Sequence, residues 1–88
     1  MPSYLVETYL ARNQAGERTE RERRARSAVA KLTQERVRFE RSIYVPEDEI
    51  CFFVFDAPSG REAALAAQRA GLEPIRVVEA VSSEKEEK

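Results

Sequence analysis

The chain has 88 residues, of which 42% are hydrophobic and 35% charged, with a net charge of −1; this is one domain's worth of protein, too short for a Rossmann domain, a TIM barrel or a kinase. It contains no His and a single Cys, Cys51, which excludes His general bases, His-ligated metal sites, Ser-His-Asp and Cys-His machinery, zinc fingers and disulfide frameworks. The charge is uneven: between Glu17 and Arg41 nine Lys or Arg stand against five Glu, whereas Glu47-Asp48-Glu49 and the last five residues are mostly acidic.

The opening residues Met1 to Glu7 show no basic segment leading into an apolar run, and nothing approaches about 18 consecutive apolar residues. The expectation is a cytoplasmic protein without membrane contact. Tyr4 to Leu10 mixes aromatic and β-branched residues and reads as a first strand. Arg12 to Gly16 reads as a loop. From Glu17 to about Gln34 there is neither Pro nor Gly, and Ala25, Ala28, Val29 and Leu32 recur at helical spacing, which predicts an amphipathic helix with a thin apolar stripe. Val37 to Val45 alternates as a half-buried strand does, and Pro46 to Glu49 supplies a turn.

Ile50 to Asp56 is the most apolar run, with apolar residues at both parities, so this strand is expected in the middle of its sheet and buried on both faces. The short link makes the second and third strands a hairpin. Ser59 is a credible N-cap, with Glu62 three residues on as its capping-box partner, for a second helix carrying Ala63, Leu65, Ala66, Ala67 and Ala70 up to Gly71. Pro74 to Val81 reads as the last strand. Residues 82–88 have no apolar side chain and are expected to form a disordered charged tail after a single domain at 1–81.

The order βαββαβ predicts an α+β fold, a ferredoxin-like sandwich whose antiparallel four-stranded sheet carries both helices on one face in strand order 4-1-3-2. The other face is then open. Apolar residues there would normally be covered by a second subunit, so a homodimer with facing sheets is expected.

Three charges interrupt the apolar strand positions. Glu7 shares its face with Leu5 and Tyr9, Arg41 has the parity of Val37, Phe39, Ile43 and Val45, and Glu79 that of Ile75, Val77 and Val81. On the open side they would form a charged cluster in an apolar cleft lined by Phe53 and Phe55, with the Tyr9 hydroxyl available to a ligand. The favoured alternative is structural: Arg41 and Glu79 lie on edge strands and reach solvent or bridge subunits. Cys51 reads as an inert buried thiol. The arginines from Arg18 to Arg26 interleave with Glu at ion-pair spacing (Glu17–Arg21, Glu20–Arg24, Glu22–Arg26), so a solvated helix is expected and a nucleic-acid partner is not. The isolated Gly16, Gly60 and Gly71 offer no phosphate-binding loop.

Several segments together resemble a family. Tyr4-Leu5-Val6-Glu7 is similar to the opening strand of the small actinobacterial-type nickel-binding ferredoxin-like proteins, a domain family otherwise of unknown function. Phe39-Glu40-Arg41-Ser42 occupies the place of its aromatic-x-His-Ser segment, and Phe53-Val54-Phe55-Asp56-Ala57-Pro58-Ser59 resembles its apolar strand ending in acid-Ala-Pro-Ser. Ala70 to Ile75 and Val78-Glu79 resemble its second-helix exit and final strand. The resemblance implies the ferredoxin-like fold and dimerisation of the α+β barrel type. It does not extend to a metal or other cofactor, because Arg41 stands where the family has His and a guanidinium has no lone pair to offer. An Arg there suits a carboxylate or phenolate.

The leading expectation is therefore a dimeric protein binding a small anionic or apolar molecule, or a protein partner, with Glu7, Tyr9, Arg41, Phe53, Phe55 and Glu79 around the ligand. The alternative is a small cofactor-independent enzyme, of isomerase, cyclase or monooxygenase type, with Glu7 or Glu79 as acid/base and Arg41 holding an anion.

Overall fold

The structure, a computed structural model, describes residues 1–31 and 36–81. Strand β1 covers Ser3–Tyr9, and a 3-10 turn at Arg12–Gln14 leads into helix α1 at Glu17–Lys31. Strands β2 (Arg38–Val45) and β3 (Ile50–Asp56) form the hairpin, followed by helix α2 (Gly60–Arg69) and strand β4 (Arg76–Ala80). The sheet order is β2-β3-β1-β4 with every neighbouring pair antiparallel. This is the expected ferredoxin-like arrangement, with β3 and β1 in the middle. Strand β4 starts later than its apolar pattern suggests, because Pro74 has no amide to lend and Glu73 turns the chain at a positive φ of 55°. The expected contribution of Leu32 to α1 and the tail at 82–88 lie outside the described residues. Among those residues no helix is long and apolar enough to cross a membrane.

The core lies between the helices and one face of the sheet, and its volume is unevenly supplied. Phe39, Phe53, Phe55, Val6 and Cys51 project from the strands and are buried. The helices answer with small residues: Ala25 and Ala28 from α1, and Ala63, Ala66 and Ala67 from α2. Methyl-sized contacts let both helices settle close over a sheet carrying bulky rings. Phe39 packs tilted against Phe53 and Phe55, with ring centroids 6.0 and 5.4 Å apart, near the geometry aromatic pairs prefer. The Arg26 guanidinium closes the outer side, 4.9 Å from the Phe39 ring centre.

Both ends of α2 are built as the sequence indicates. Ser59 Oγ accepts from the Glu62 amide at 3.3 Å and lies 2.7 Å from the Glu62 carboxylate. At the far end the Gly71 amide donates to the Gln68 carbonyl and the Leu72 amide to that of Ala67, both at 3.0 Å, a Schellman stop with Gly71 at φ 73°. Leu72, only 2% exposed, then tucks into the core.

Strand β2 contains a feature that strict alternation does not anticipate. Phe39 pairs with Phe55, but the next residue to pair on β3, at Val54, is Arg41, leaving Glu40 as an extra bulged residue. Phe39 therefore faces the helices while Arg41, two positions on, faces the other way. After the bulge Ser42 and Tyr44 take the core side, opposite Phe53 and Cys51, and Ile43 and Val45 the open side. The expectation that Arg41 shares a face with Phe39 is corrected by this one inserted residue. The bulge also sets Glu40 against Asp56, whose carboxylate, through a side-chain hydrogen bond and charge repulsion, raises the Glu40 pKa above the usual carboxylate value.

Two measurements test these points. A Cβ at Gly71 would meet only Arg24 Nε at 3.9 Å, so Gly71→Ala is opposed by the left-handed backbone rather than by crowding. It should cost about 1–2 kcal/mol, read as a lower urea midpoint with an unchanged slope. For Glu40 the folded chain holds the proton more tightly than the unfolded chain, so the contribution is present below the ordinary carboxylate pKa and is lost as pH rises through the raised value. Urea midpoints of the wild type should fall relative to Glu40→Gln as pH rises from acidic to neutral, and parallel profiles would contradict the pairing.

Candidate functional site on the open sheet face

The register sorts the side chains of the face away from the helices into rows running across the strands. Arg38, Asp56, Ser3 and Ala80 form one row, followed by Arg41, Val54, Leu5 and Val78. Ile43, Phe52, Glu7 and Arg76 form the next, and Val45, Ile50 and Tyr9 the last. A solvated antiparallel face normally alternates with polar residues. Here the two middle rows hold Leu5, Val54, Val78, Ile43 and Phe52, with Ile43 39% exposed. Charges border this apolar block.

Of the residues expected at the site, Glu7, Tyr9 and Arg41 lie on this face. Glu7 Oε1 is 3.4 Å from Arg76 Nε, an ion pair on neighbouring strands in which the Glu7 side chain keeps only 22% exposure. Arg41 is exposed and makes no ion pair among the described residues. It sits two strands from Glu7, roughly 10 Å across the sheet at ordinary strand spacing, and one row further along, with β3 between them. Tyr9 stands at the rim, 55% exposed, and its hydroxyl donates to Glu49 Oε1 at 3.2 Å. The Glu49 carboxylate pushes the Tyr9 phenol above its usual pKa, and Glu49 is itself held by the Arg12 amide at 3.0 Å.

Phe53, Phe55 and Glu79 are not on this face. Phe53 and Phe55 are 0% exposed beneath the helices, so the rings expected to line the cleft are core. Their neighbours Phe52 and Val54 take the open side. Glu79 pairs with Tyr4 and Val77 with Val6, both on the helix side, so Glu79 is an exposed edge residue apart from Glu7 and Arg41. The three charges are thus not one cluster. Arg76, the actual partner of Glu7, carries the opposite parity in β4 and was legible only as one of two charges alternating along that strand.

A separate polar junction ties α1 to β2 on the helix side. Arg18 Nε donates to Ser42 Oγ at 2.8 Å and Arg18 Nη2 to the Ser42 carbonyl at 3.1 Å, while the Ser42 hydroxyl donates to the Glu22 carboxylate. Ser42 is 7% exposed, so this junction satisfies a polar group that burial would otherwise penalise. Nearby, Thr8 donates to the Cys51 carbonyl at 2.8 Å, and burial pushes the Cys51 thiol up in pKa, away from the reactive thiolate. Among the described residues no three His, Cys, Asp or Glu side chains gather as a metal-binding group. Arg41, with no lone pair, does not fit a nickel site either.

No known protein family's profile matches this chain, and no curated protein does. Among solved structures, the crystal structure of SCO4226 from Streptomyces coelicolor A3(2) is similar in fold, with a TM-score of 0.62 at 16% sequence identity, the match covering 91% of this chain and 98% of that one.

Proposed function

We propose that the open sheet face is the working surface of a homodimer, in which two apolar sheets face each other and enclose a cleft for a small anionic or apolar molecule. The observation that carries this reading is the apolar block of Leu5, Phe52, Ile43 and Val78, grouped around the buried Val54, on a face that the helices leave uncovered. Burying such a block against a second copy removes apolar surface from water at both partners. Arg41, exposed at the border of the block and without a salt bridge among the described residues, supplies a cation beside apolar side chains, which suits a carboxylate or phenolate attached to a hydrophobic body. Glu7, already held by Arg76, shapes and neutralises the other border. The likeness in fold to SCO4226, together with the segments resembling nickel-binding ferredoxin-like proteins, supports a shared architecture, while Arg41 in the place of the family's His argues for a ligand other than a metal.

Sedimentation tests the assembly: the wild type should run at about twice the 10.1 kDa chain mass, and Phe52→Glu should run as a folded monomer. A monomeric wild type at micromolar concentration overturns the dimer. The ligand is tested by an NMR titration with benzoate as probe, which should shift the amides around Arg41 and Phe52 in the wild type and at least tenfold more weakly in Arg41→Gln. Equal titration of the two proteins would remove Arg41 from the site. Excess nickel should leave the melting temperature unchanged, since only a ligand that binds the folded state raises it.

A further inference from the structure

On the opposite side of the molecule from the open sheet face, a groove of about 280 Å³ lies between the two helices. Among the described residues its lining is Arg23, Arg24, Ser27, Ala28 and Lys31 from α1 with Arg69 and Ala70 at the end of α2, four cations without a carboxylate. In a chain whose net charge is −1, that is a strong local concentration of one sign. A cation in the last turn of a helix is favoured by the helix dipole, which accounts for Lys31 and Arg69 one at a time. It does not account for their meeting Arg23 and Arg24 across a common hollow.

The cations are held in different ways. Arg23 is paired along the helix with Glu20, its Nε 3.1 Å from Glu20 Oε1. Arg24 reaches across the groove and donates from Nε to the Ala70 carbonyl at 2.9 Å and from Nη2 to that of Gly71 at 3.4 Å. These two bonds satisfy carbonyls just past the end of α2 and fix the guanidinium, while a guanidinium has further N–H donors to offer. Lys31 and Arg69 are exposed and make no ion pair among the described residues. Ala28 and Ala70, both buried, contribute small side chains to the lining.

From this geometry we infer that the inter-helix groove binds a small oligophosphate group, with Arg24 as the fixed donor and Lys31 and Arg69 closing on the outer oxygens. Guanidinium forks match phosphate oxygens in direction as well as charge. The hollow falls just below the range that holds drug-sized ligands, roughly 300–1,000 Å³, so it suits a phosphate chain rather than an enclosed nucleotide. A nucleic-acid strand fits less well, because Glu17, Glu20 and Glu22 interrupt the positive track along α1.

Calorimetry with sodium tripolyphosphate at constant ionic strength tests the inference. The wild type should bind, the folded double variant Lys31→Gln/Arg69→Gln should bind at least tenfold more weakly, and Arg61→Gln, an exposed α2 charge outside the groove, should bind as the wild type does. Lys31→Gln and Arg69→Gln singly provide the same comparison if the double variant is less stable, each expected to bind more weakly than the wild type. Absence of binding by the wild type, undiminished binding by the groove variants, or an equal loss in Arg61→Gln overturns it. A single-stranded oligonucleotide that binds where tripolyphosphate does not would also sink the small-ligand assignment.

Discussion

The packing of three phenylalanines beneath two alanine-faced helices is the constraint from which the rest of the structure follows. Phe39, Phe53 and Phe55 come from the adjacent strands β2 and β3, and their rings occupy the space that larger helix side chains would otherwise fill. Interiors pack at nearly crystalline density, so bulky strands demand small helix faces, and the alanines of α1 and α2 meet that demand. The arrangement turns the odd positions of β3 inward. By the period of two along a strand, Phe52 and Val54 must then point outward. The apolar character of the open face is therefore a direct consequence of how the core is filled.

The bulge at Glu40 is what allows β2 to take part on both sides. Without it, burying Phe39 would also bury Arg41, and an unpaired guanidinium in the core is strongly unfavourable. With it, Phe39 joins the aromatic cluster, Ser42 meets Arg18 and Glu22 under α1, and Arg41 is delivered to the border of the outer apolar block. A single additional residue thus converts a conflict between hydrophobic and charged positions into two separate surfaces. The same insertion brings Glu40 to Asp56 and leaves a carboxyl that holds its proton unusually well.

Charge is partitioned in a comparable way between the two sides of the molecule. The sheet face carries an apolar block with Glu7 balanced by Arg76, and with Arg41 exposed at its border. The helix face carries an excess of cations, some consumed by Glu17 and Glu20 along α1 and by the carbonyl ends of α2, and some converging on the inter-helix groove. A small apolar molecule and a compact polyanion would thus be met on opposite sides of one sheet by different chemistry.

The sequence by itself determined the order of elements, both ends of α2, the central position of β3 and hence the ferredoxin-like topology, because caps, Gly71 and two-sided apolarity act locally. It also indicated that Glu7 and Arg41 break the strand pattern. Only the tertiary structure decided which parity of each strand meets the helices. In β3 both parities are apolar, so nothing local separates Phe53 and Phe55 from Phe52 and Val54. In β4 each parity carries one charge, and only pairing with β1 sends Arg76 to Glu7 and leaves Glu79 on the opposite face. The inserted Glu40 is invisible to alternation because its effect exists only through the register with β3. Length and composition therefore defined one small sandwich without histidine chemistry, while cross-strand register and core volume decided which side chains share a site.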